Sequence, residues 1–536
     1  MIFVYYPLIL ISILGYGFFV SKKIINLNNY NLGYIGIVGI FSLLLISYVS
    51  TQFLAHTEIF NLLTLITGLI LFFGNIKKFD LDKKNFQLLI LIFILSLIFV
   101  LVGKNHDDFH YYHFPYILTL TEYPHPLGLG NLNHGFKTHS SIFLLSSLFS
   151  LPGAKYSLFH LAPAYILIFS NYMILELIFK KDIQKKYSFV TFLGLASFVF
   201  INIFFYRLGE HGTDRSAMIL IIVLVLNLIY FLNINNNRID NSLLKIICII
   251  FVIIASLKAF YLIYITILIP LIFHVYKKNN SIKIFFDKNL LLCALLLGFV
   301  LFTNLLNTGC FLFPEKKTCF FDLPWSLSEK TVEHLSLHYE TWAKAGSGAG
   351  YSLAQSERLN YISNFNWLNN WIDKYFFNKV SDLIYSLIFI SVIFILLFKG
   401  SKSIKTSNRN YKSLSFILLL IFSIWFLFHP SLRYGGYHLF FFIFFIPLSI
   451  FLEKFNKDIP NFNRKIIILV LITVLIFLGR NINRLIKENK IYSYQPFKNV
   501  NYPLNDDSFR YQLEMQNIIK ENKAKEIYKN RYIFLN

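Results

Sequence analysis

A chain of 536 residues that is 56% hydrophobic, with a mean hydropathy of +0.57, does not have the composition of a soluble domain. Its formal charge of +22 suggests nucleic acid, but most Lys and Arg stand in short loops between apolar runs, where the positive-inside rule puts them, so no nucleic-acid partner is expected. The runs are continuous and near the thickness of a bilayer, which makes the class an all-α polytopic membrane protein rather than a barrel.

In chain order, the first apolar run covers Met1 to about Val20 and closes on Lys22 and Lys23. It lacks a basic leader and a small-residue cleavage site, and is expected to stay as an uncleaved first helix. Further runs cover about Gly33 to Phe53, Ile59 to Phe73 and Phe86 to Val102. A polar loop crowded with His and Tyr follows, Gly103 to Pro152. Its end, Ser140 to Leu151, is apolar but too short to cross, and is expected to lie at the interface as an amphipathic helix. The next runs cover about Ser157 to Phe179, Tyr187 to Phe205, Ala217 to Leu232, Leu243 to Ser256, Ala259 to Tyr276 and Leu290 to Leu306. The long polar stretch from Asn307 to about Lys379 contains four tryptophans and the pair Cys310 and Cys319, which would be bonded if that stretch faces an oxidising compartment. Runs at about Val380 to Phe398, Leu414 to Phe428, Leu439 to Leu452 and Ile466 to Leu478 complete about 14 crossings by the hydropathy rule. The tail from Arg480 to Asn536 is polar. With the lysine-rich loops inside, the N-terminus, every unusual polar loop and the tail fall outside. Heavy use of Asn, Lys, Ile and Phe fits an AT-rich bacterial genome, and the expected location is the inner membrane with an extracytoplasmic working face.

The chemistry is expected in the first polar loop. Asp107 and Asp108 follow a crossing run directly, where one-sided desolvation raises a carboxylate's pKa and makes it a usable base. The pair is also a candidate site for Mg2+ or Mn2+, with His106, His110 or His113 nearby and Asp214 as a further ligand. The plainer alternative is that one Asp caps a helix starting at Phe109. Six histidines share the loop (His106, His110, His113, His125, His134 and His139), but no HExxH motif occurs, so a zinc hydrolase is poorly supported. Some are expected to hydrogen-bond a phosphate or sugar and others to pack; His110, His113 and Tyr112 are the substrate-side candidates. A second acidic loop holds Glu210 and Asp214; Asp214 starts a run and is equally a helix cap. Lys258 stands between two runs and Arg433 in the turn HPSLRYGGY. Either would bind phosphate or snorkel to headgroups, and Gly435 and Gly436 beside Arg433 would admit a close backbone approach. The tryptophan-rich stretch reads as an interfacial anchor or a lid.

From about Phe86 to Leu452 the order of these features resembles the GT-C superfamily of integral-membrane glycosyltransferases, which includes protein O-mannosyltransferases, aminoarabinose transferases of lipid A and oligosaccharyltransferases. Asp107-Asp108 after a crossing run resembles the family's acidic motif in the first outer loop. THSSIFLLSSLFSLPGAKYSLFHLAPAYILIF resembles its short interfacial helix and Gly turn. GTDRSAMILIIVL with Asp214, ASLKAFYLIYI with Lys258, and RYGG with Arg433 resemble a second acidic residue, a lysine stretch and an outer arginine. The chain departs from the family in placing three runs before the acidic one and in having Asp-Asp rather than DxD or Asp-Glu. The resemblance implies transfer of a sugar from a polyprenyl-phosphate carrier to an extracytoplasmic glycan, lipid or protein acceptor. One loop carboxylate would be the general base, and Lys258 and Arg433 would stabilise the leaving phosphate.

The expected organisation is residues 1–85 as N-terminal crossings, 86–480 as a catalytic body with outer loops 104–155 and 307–379, and 481–536 as a tail. Two other readings compete. A polysaccharide polymerase or ligase of the O-antigen type would use Arg358, His334 and His338 of the late loop. A transporter would need charges or Gly/Pro breaks at the middle of crossing helices and repeated halves, and the sequence has almost no mid-helix charge and no clear repeat.

Overall fold

The computed structural model describes residues 1–27, 31–76, 83–101, 108–208, 213–234, 240–279, 281–346, 353–401, 411–455, 459–492, 506–528 and 530–535. The chain is 79% helical. Among the described residues ten helices are long and apolar enough to cross a membrane, and four shorter apolar helices accompany them. This is the all-α membrane protein the composition requires.

Burial separates the helices into two sets. The spans Tyr156–Phe179 and Thr213–Asn233 are 94% buried within the protein, whereas Glu58–Ile76 and Phe462–Ile491 are 28% buried. The exposed faces of the second set carry Ile70, Phe73, Leu471 and Leu475. Large apolar side chains bared in rows suit acyl chains rather than water. At the N-terminus, Ile2–Lys23, Leu32–Ser50 and Glu58–Ile76 approach one another through glycine. A Cβ on Gly15 would collide with the Gly68 carbonyl, and one on Gly39 with the Ile13 carbonyl. Such close backbone packing is how helices associate where no hydrophobic drive exists between them.

The two ends of the bundle differ. At one end, Lys245 Nζ donates to the Ile25 carbonyl at 2.7 Å, Lys278 Nζ to that of Ile234 at 3.2 Å, and Lys465 Nζ to that of Leu397 at 2.7 Å. The other end gathers the polar loops. There Tyr5 donates its hydroxyl to the Pro152 carbonyl at 2.9 Å, which puts the start of the first helix beside the end of the first polar loop.

Three expectations change. The helix Ser141–Ser147, capped by Ser140, is buried on every side. It is a wedge inside the protein and not an amphipathic helix on the membrane surface. The run at Ala259–Tyr276 splits into a 3₁₀ stretch, Ala259–Ile267, and an α-helix, Leu268–Asn279. Pro270 lacks the N–H that an α-helical bond to residue 266 would need, so the bonding pattern changes just ahead of it. The tail is not a separate unit beginning at 481. The last crossing helix runs on from Phe462 to Tyr492, a helix Asp506–Lys520 follows, and the chain ends in an antiparallel hairpin of Ala524–Tyr528 with Arg531–Phe534. The tail packs back onto the first loop: Phe509 meets Phe114 edge to face at 5.3 Å, and Leu127 exchanges backbone hydrogen bonds of 2.9 Å with Tyr532 and Phe534.

Candidate functional site

The Asp108 loop begins with a π-helical turn, Phe109–His113, before an α-helix, Phe114–Glu122. Pro115 explains it. Without an N–H it cannot bond the Tyr111 carbonyl, and that carbonyl instead accepts from Asn133 Nδ2 at 2.8 Å. Turns of this kind gather at functional sites. Although Asp108 precedes the turn, its carboxylate makes no capping hydrogen bond to it. It accepts from Arg433 Nη2 at 2.8 Å, and the Tyr112 hydroxyl approaches the same oxygen at 3.5 Å.

Arg433 sits in a short 3₁₀ turn, Leu432–Tyr434, between the helices Lys412–Phe428 and Gly436–Glu453. Aromatic side chains hold that turn. Trp371 Nε1 donates to the Pro430 carbonyl at 2.7 Å, Trp425 Nε1 to the Ser431 carbonyl at 2.9 Å, and the Tyr375 hydroxyl accepts from the Leu432 N–H at 2.8 Å. Gly435 has φ +111°, which a side chain would strain. A Cβ at Gly436 would strike the Trp425 ring. Both glycines therefore serve the protein's own packing rather than leaving room for a ligand.

Arg433 reaches a second carboxylate, donating from Nε to Asp214 Oδ2 at 2.7 Å. Asp214 lies in the first turn of Thr213–Asn233, and its other oxygen, Oδ1, accepts from Lys258 Nζ. Lys258 follows the helix Asn241–Leu257 in an extended conformation and lies 5.0 Å from the centre of the Tyr434 ring. Four charged residues from four distant segments thus form one chain, Asp108–Arg433–Asp214–Lys258. It is graded in exposure: the Asp214 side chain is 8% exposed, Lys258 23%, Asp108 26% and Arg433 35%. The Arg433 side chain is the most accessible of the four.

The surroundings favour neutral donors around the charges. Burial, with the charge of Asp108 adding to it, pushes the Tyr112 phenol well above its usual range, and burial pushes Tyr434 up to about 12. His429, stacked edge-on against Phe260, is pushed down to about 4 by burial and then by Lys344 and Lys258. Burial pulls the Lys258 ammonium below its usual value, with Asp214 opposing.

Other sequence candidates lie elsewhere. His110 Nδ1 pairs with Ser508 Oγ of the tail at 2.6 Å, and His113 is buried against Tyr112 and Phe143. His125 and His139 join a buried network in which the Tyr116 hydroxyl meets His125 Nε2 at 3.2 Å and His139 Nδ1 at 3.1 Å, and Tyr48 meets His139 Nε2 at 2.7 Å. Asp107, His106 and Glu210 lie outside the described residues. Both oxygens of Asp214 are taken by cations, and among the described residues there is no group of three or more His, Cys, Asp or Glu placed to hold a metal. The described carboxylates do not fit a Mg2+ or Mn2+ site, because Lys258 and Arg433 already occupy the positions of positive charge.

Tyr434 and Trp342 are members of the site that sequence reading passed over. The Trp342 ring stands 6.0 Å from Tyr434, whereas Trp367 and Trp371 are buried, so the tryptophan-rich stretch divides between rim and core. Cys310 and Cys319 are disulfide-bonded.

A bundle of apolar helices with a part-buried ion-pair chain at one end defines a helical membrane protein with a polar site at one end of the bundle. Residues 1–441 match the family model described as Domain of unknown function (DUF8201), and the chain belongs to that family. Comparison with curated proteins and with solved structures finds no match.

Proposed function

We propose that this protein is a membrane glycosyltransferase that moves a sugar from a polyprenyl-phosphate carrier to an extracytoplasmic glycan, lipid or protein acceptor, in the manner of the GT-C superfamily. The observation that carries the reading is the part-buried chain Asp108–Arg433–Asp214–Lys258. The reaction needs a carboxylate to take a proton from the acceptor hydroxyl and cations to receive the charge of the departing phosphate. In this reading the acceptor oxygen bonds the anomeric carbon as its bond to the carrier phosphate breaks. The acceptor proton passes to Asp108, and the phosphate leaves against Arg433 and Lys258. Asp214 holds both cations in place. An arriving phosphate draws Arg433 toward itself and frees the Asp108 oxygen for the hydroxyl. The polyprenyl tail lies between helices in the bilayer, which accounts for so apolar a body around so small a site.

This reading takes the four shorter apolar helices as crossings along with the ten long ones, for a proposed total of 14. The Cys310–Cys319 bond supports an oxidising compartment for the polar end, and lysines at the other end support a cytoplasmic position there. The setting that follows is a bacterial inner membrane with its active face outside.

The test is binding and transfer. Purified protein in nanodiscs should bind a fluorescent polyprenyl phosphate, and cells lacking it should lose a surface glycan that wild type restores and Asp108→Asn does not. Restoration by Asp108→Asn to the wild-type level, or polyprenyl phosphate binding no weaker in Arg433→Ala, would sink the proposal.

A further inference from the structure

Away from the ion-pair chain, a cleft of about 430 Å³ lies where a membrane span, the first loop and the tail meet. Glu58 lines it from the first turn of the span Glu58–Ile76. Glu122 lines it from the end of the loop helix Phe114–Glu122, and Lys155 from the turn that follows Leu151. The tail helix Asp506–Lys520 supplies Phe509 and Gln512.

The cleft opens at the edge of the lipid-facing surface. Phe53 and Leu54, just before Glu58, are exposed, and so is Ile59 just after it. Leu63, Ile70 and Phe73 continue the bare apolar face along the same helix. A carboxylate that begins such a span stands at the level of the lipid headgroups.

Two carboxylates and one ammonium thus share one cleft, and among the described residues none of the three is ion-paired. Glu122 accepts from the Gln512 side-chain amide, a neutral donor. Burial raises the Glu122 carboxyl above its ordinary value, with the Gln512 bond opposing; an ammonium beside it would offset that cost. The Lys155 N–H bonds the Leu151 carbonyl at 2.9 Å, and its φ of +46° is one that a side chain adopts only under strain. Strain kept at a lysine, where glycine would relieve it, points to a use for the ammonium.

The ligand that answers these charges carries both an ammonium and a phosphate. A primary ammonium has N–H donors for two carboxylates, whereas a quaternary one has none, and a phosphate oxygen suits the lysine. We propose that the cleft binds the headgroup of phosphatidylethanolamine, its ammonium between Glu58 and Glu122, its phosphate at Lys155 and its acyl chains along the bare face of Glu58–Ile76. The proposal does not depend on the transfer reaction. A lipid bound there joins three parts of the chain, because Glu122 belongs to the loop, Gln512 to the tail and Glu58 to the membrane body.

The experiment is native mass spectrometry of the full-length protein from uncharged detergent. Bound lipid is counted against rising concentrations of phosphatidylethanolamine, phosphatidylcholine and phosphatidylglycerol with the same acyl chains. Phosphatidylethanolamine is expected to bind more tightly than either of the others. The double variant Glu58→Gln/Glu122→Gln should weaken its binding by about tenfold or more, the scale of hydrogen bonds lost to a charged group, and should remove the preference over phosphatidylcholine. Lys155→Asn, which tolerates a positive φ, should weaken it by about as much. If the double variant melts early, Glu58→Gln alone carries the same expectation. Wild-type affinity for phosphatidylethanolamine no greater than for phosphatidylcholine overturns the proposal; so does unchanged binding in these variants at unchanged thermal midpoints. Soluble glycerophosphoethanolamine binding as tightly as the lipid would also overturn it, assigning the cleft to a free aminoethyl phosphate.

Discussion

Arg433 and Asp214, 219 residues apart, are joined by a hydrogen bond of 2.7 Å from Nε to Oδ2, and the same guanidinium reaches Asp108 at 2.8 Å. One arginine therefore ties the first polar loop to the start of a buried helix, and its fork geometry is what lets it hold two carboxylates at once.

Arg433→Lys keeps the charge and loses the fork. Transfer activity should fall by about 10²-fold, the usual scale for removing one oriented transition-state donor, with little change in thermal midpoint. Arg433→Ala, which leaves Asp214 with Lys258 alone, should in addition cost about 1–3 kcal/mol of stability. Activity in a cell-surface glycan assay and a thermal melt of purified protein read the two effects separately.

Asp108 and Asp214 should behave differently. Asp214 is the more buried and holds both cations, so Asp214→Asn leaves Lys258 and Arg433 facing each other and should lower the thermal midpoint as well as activity. Asp108→Asn should abolish activity at nearly unchanged stability. Equal melts for both variants would contradict this division.

Burial holds the histidines His56, His125 and His139 down at about 3, well below the ordinary 6.5. Their neutral rings hydrogen-bond Ser50, Ser147, Tyr116 and Tyr48. Between those two values the unfolded chain binds the proton and the folded one does not. Stability is therefore complete above about pH 6.5 and falls as pH drops from 6.5 toward 3, by up to about 1.4 kcal/mol per pH unit for each histidine. His56→Gln should reduce that slope by one histidine's contribution, up to about 1.4 kcal/mol per pH unit, measured from melts at a series of pH values.

The disulfide reports orientation. In intact cells, Cys310 and Cys319 should resist a maleimide until a reductant is added, and then react with a membrane-impermeant one. Labelling by only a permeant reagent after reduction would place the polar end in the cytoplasm.

The C-terminal tail clamps the first loop. Ser508 bonds His110, and the Arg531 guanidinium donates to the Gln52 carbonyl and side chain at 3.1 and 3.2 Å. Removing residues 506–536 should speed amide exchange in residues 108–139 by about tenfold or more, since those contacts raise the local opening energy, while exchange in Leu161–Phe179 stays unchanged.

Parts of this site were legible in the chain. Asp108, Asp214, Lys258 and Arg433 each stand out as an ionisable residue at the end of an apolar run, where a charge is costly unless it has a use or a partner. Their pairing was not legible. The expectation named Asp107 and Asp108 as base or metal ligands and Lys258 and Arg433 as phosphate contacts, without joining Asp108 and Asp214 to those cations as the fold does. The histidines were the loudest signal and the least informative. His125 and His139 build a buried network, His113 packs, and His110 meets a tail that local sequence gives no reason to bring there. His134, one of six in the loop, meets His338 and Tyr339 of a helix about 200 residues later, which no local pattern foretells.

The sequence by itself determined the class, the apolar runs and the residues whose charge needs explaining, because period, length and composition act within a segment. Only the tertiary structure decided which helices are core and which face lipid, that Ser141–Ser147 is internal, that the tail returns to the first loop, and that Arg433 bridges Asp108 to Asp214. Those outcomes depend on which helices pack side by side and which ends they bring together, and no window along one chain contains that choice.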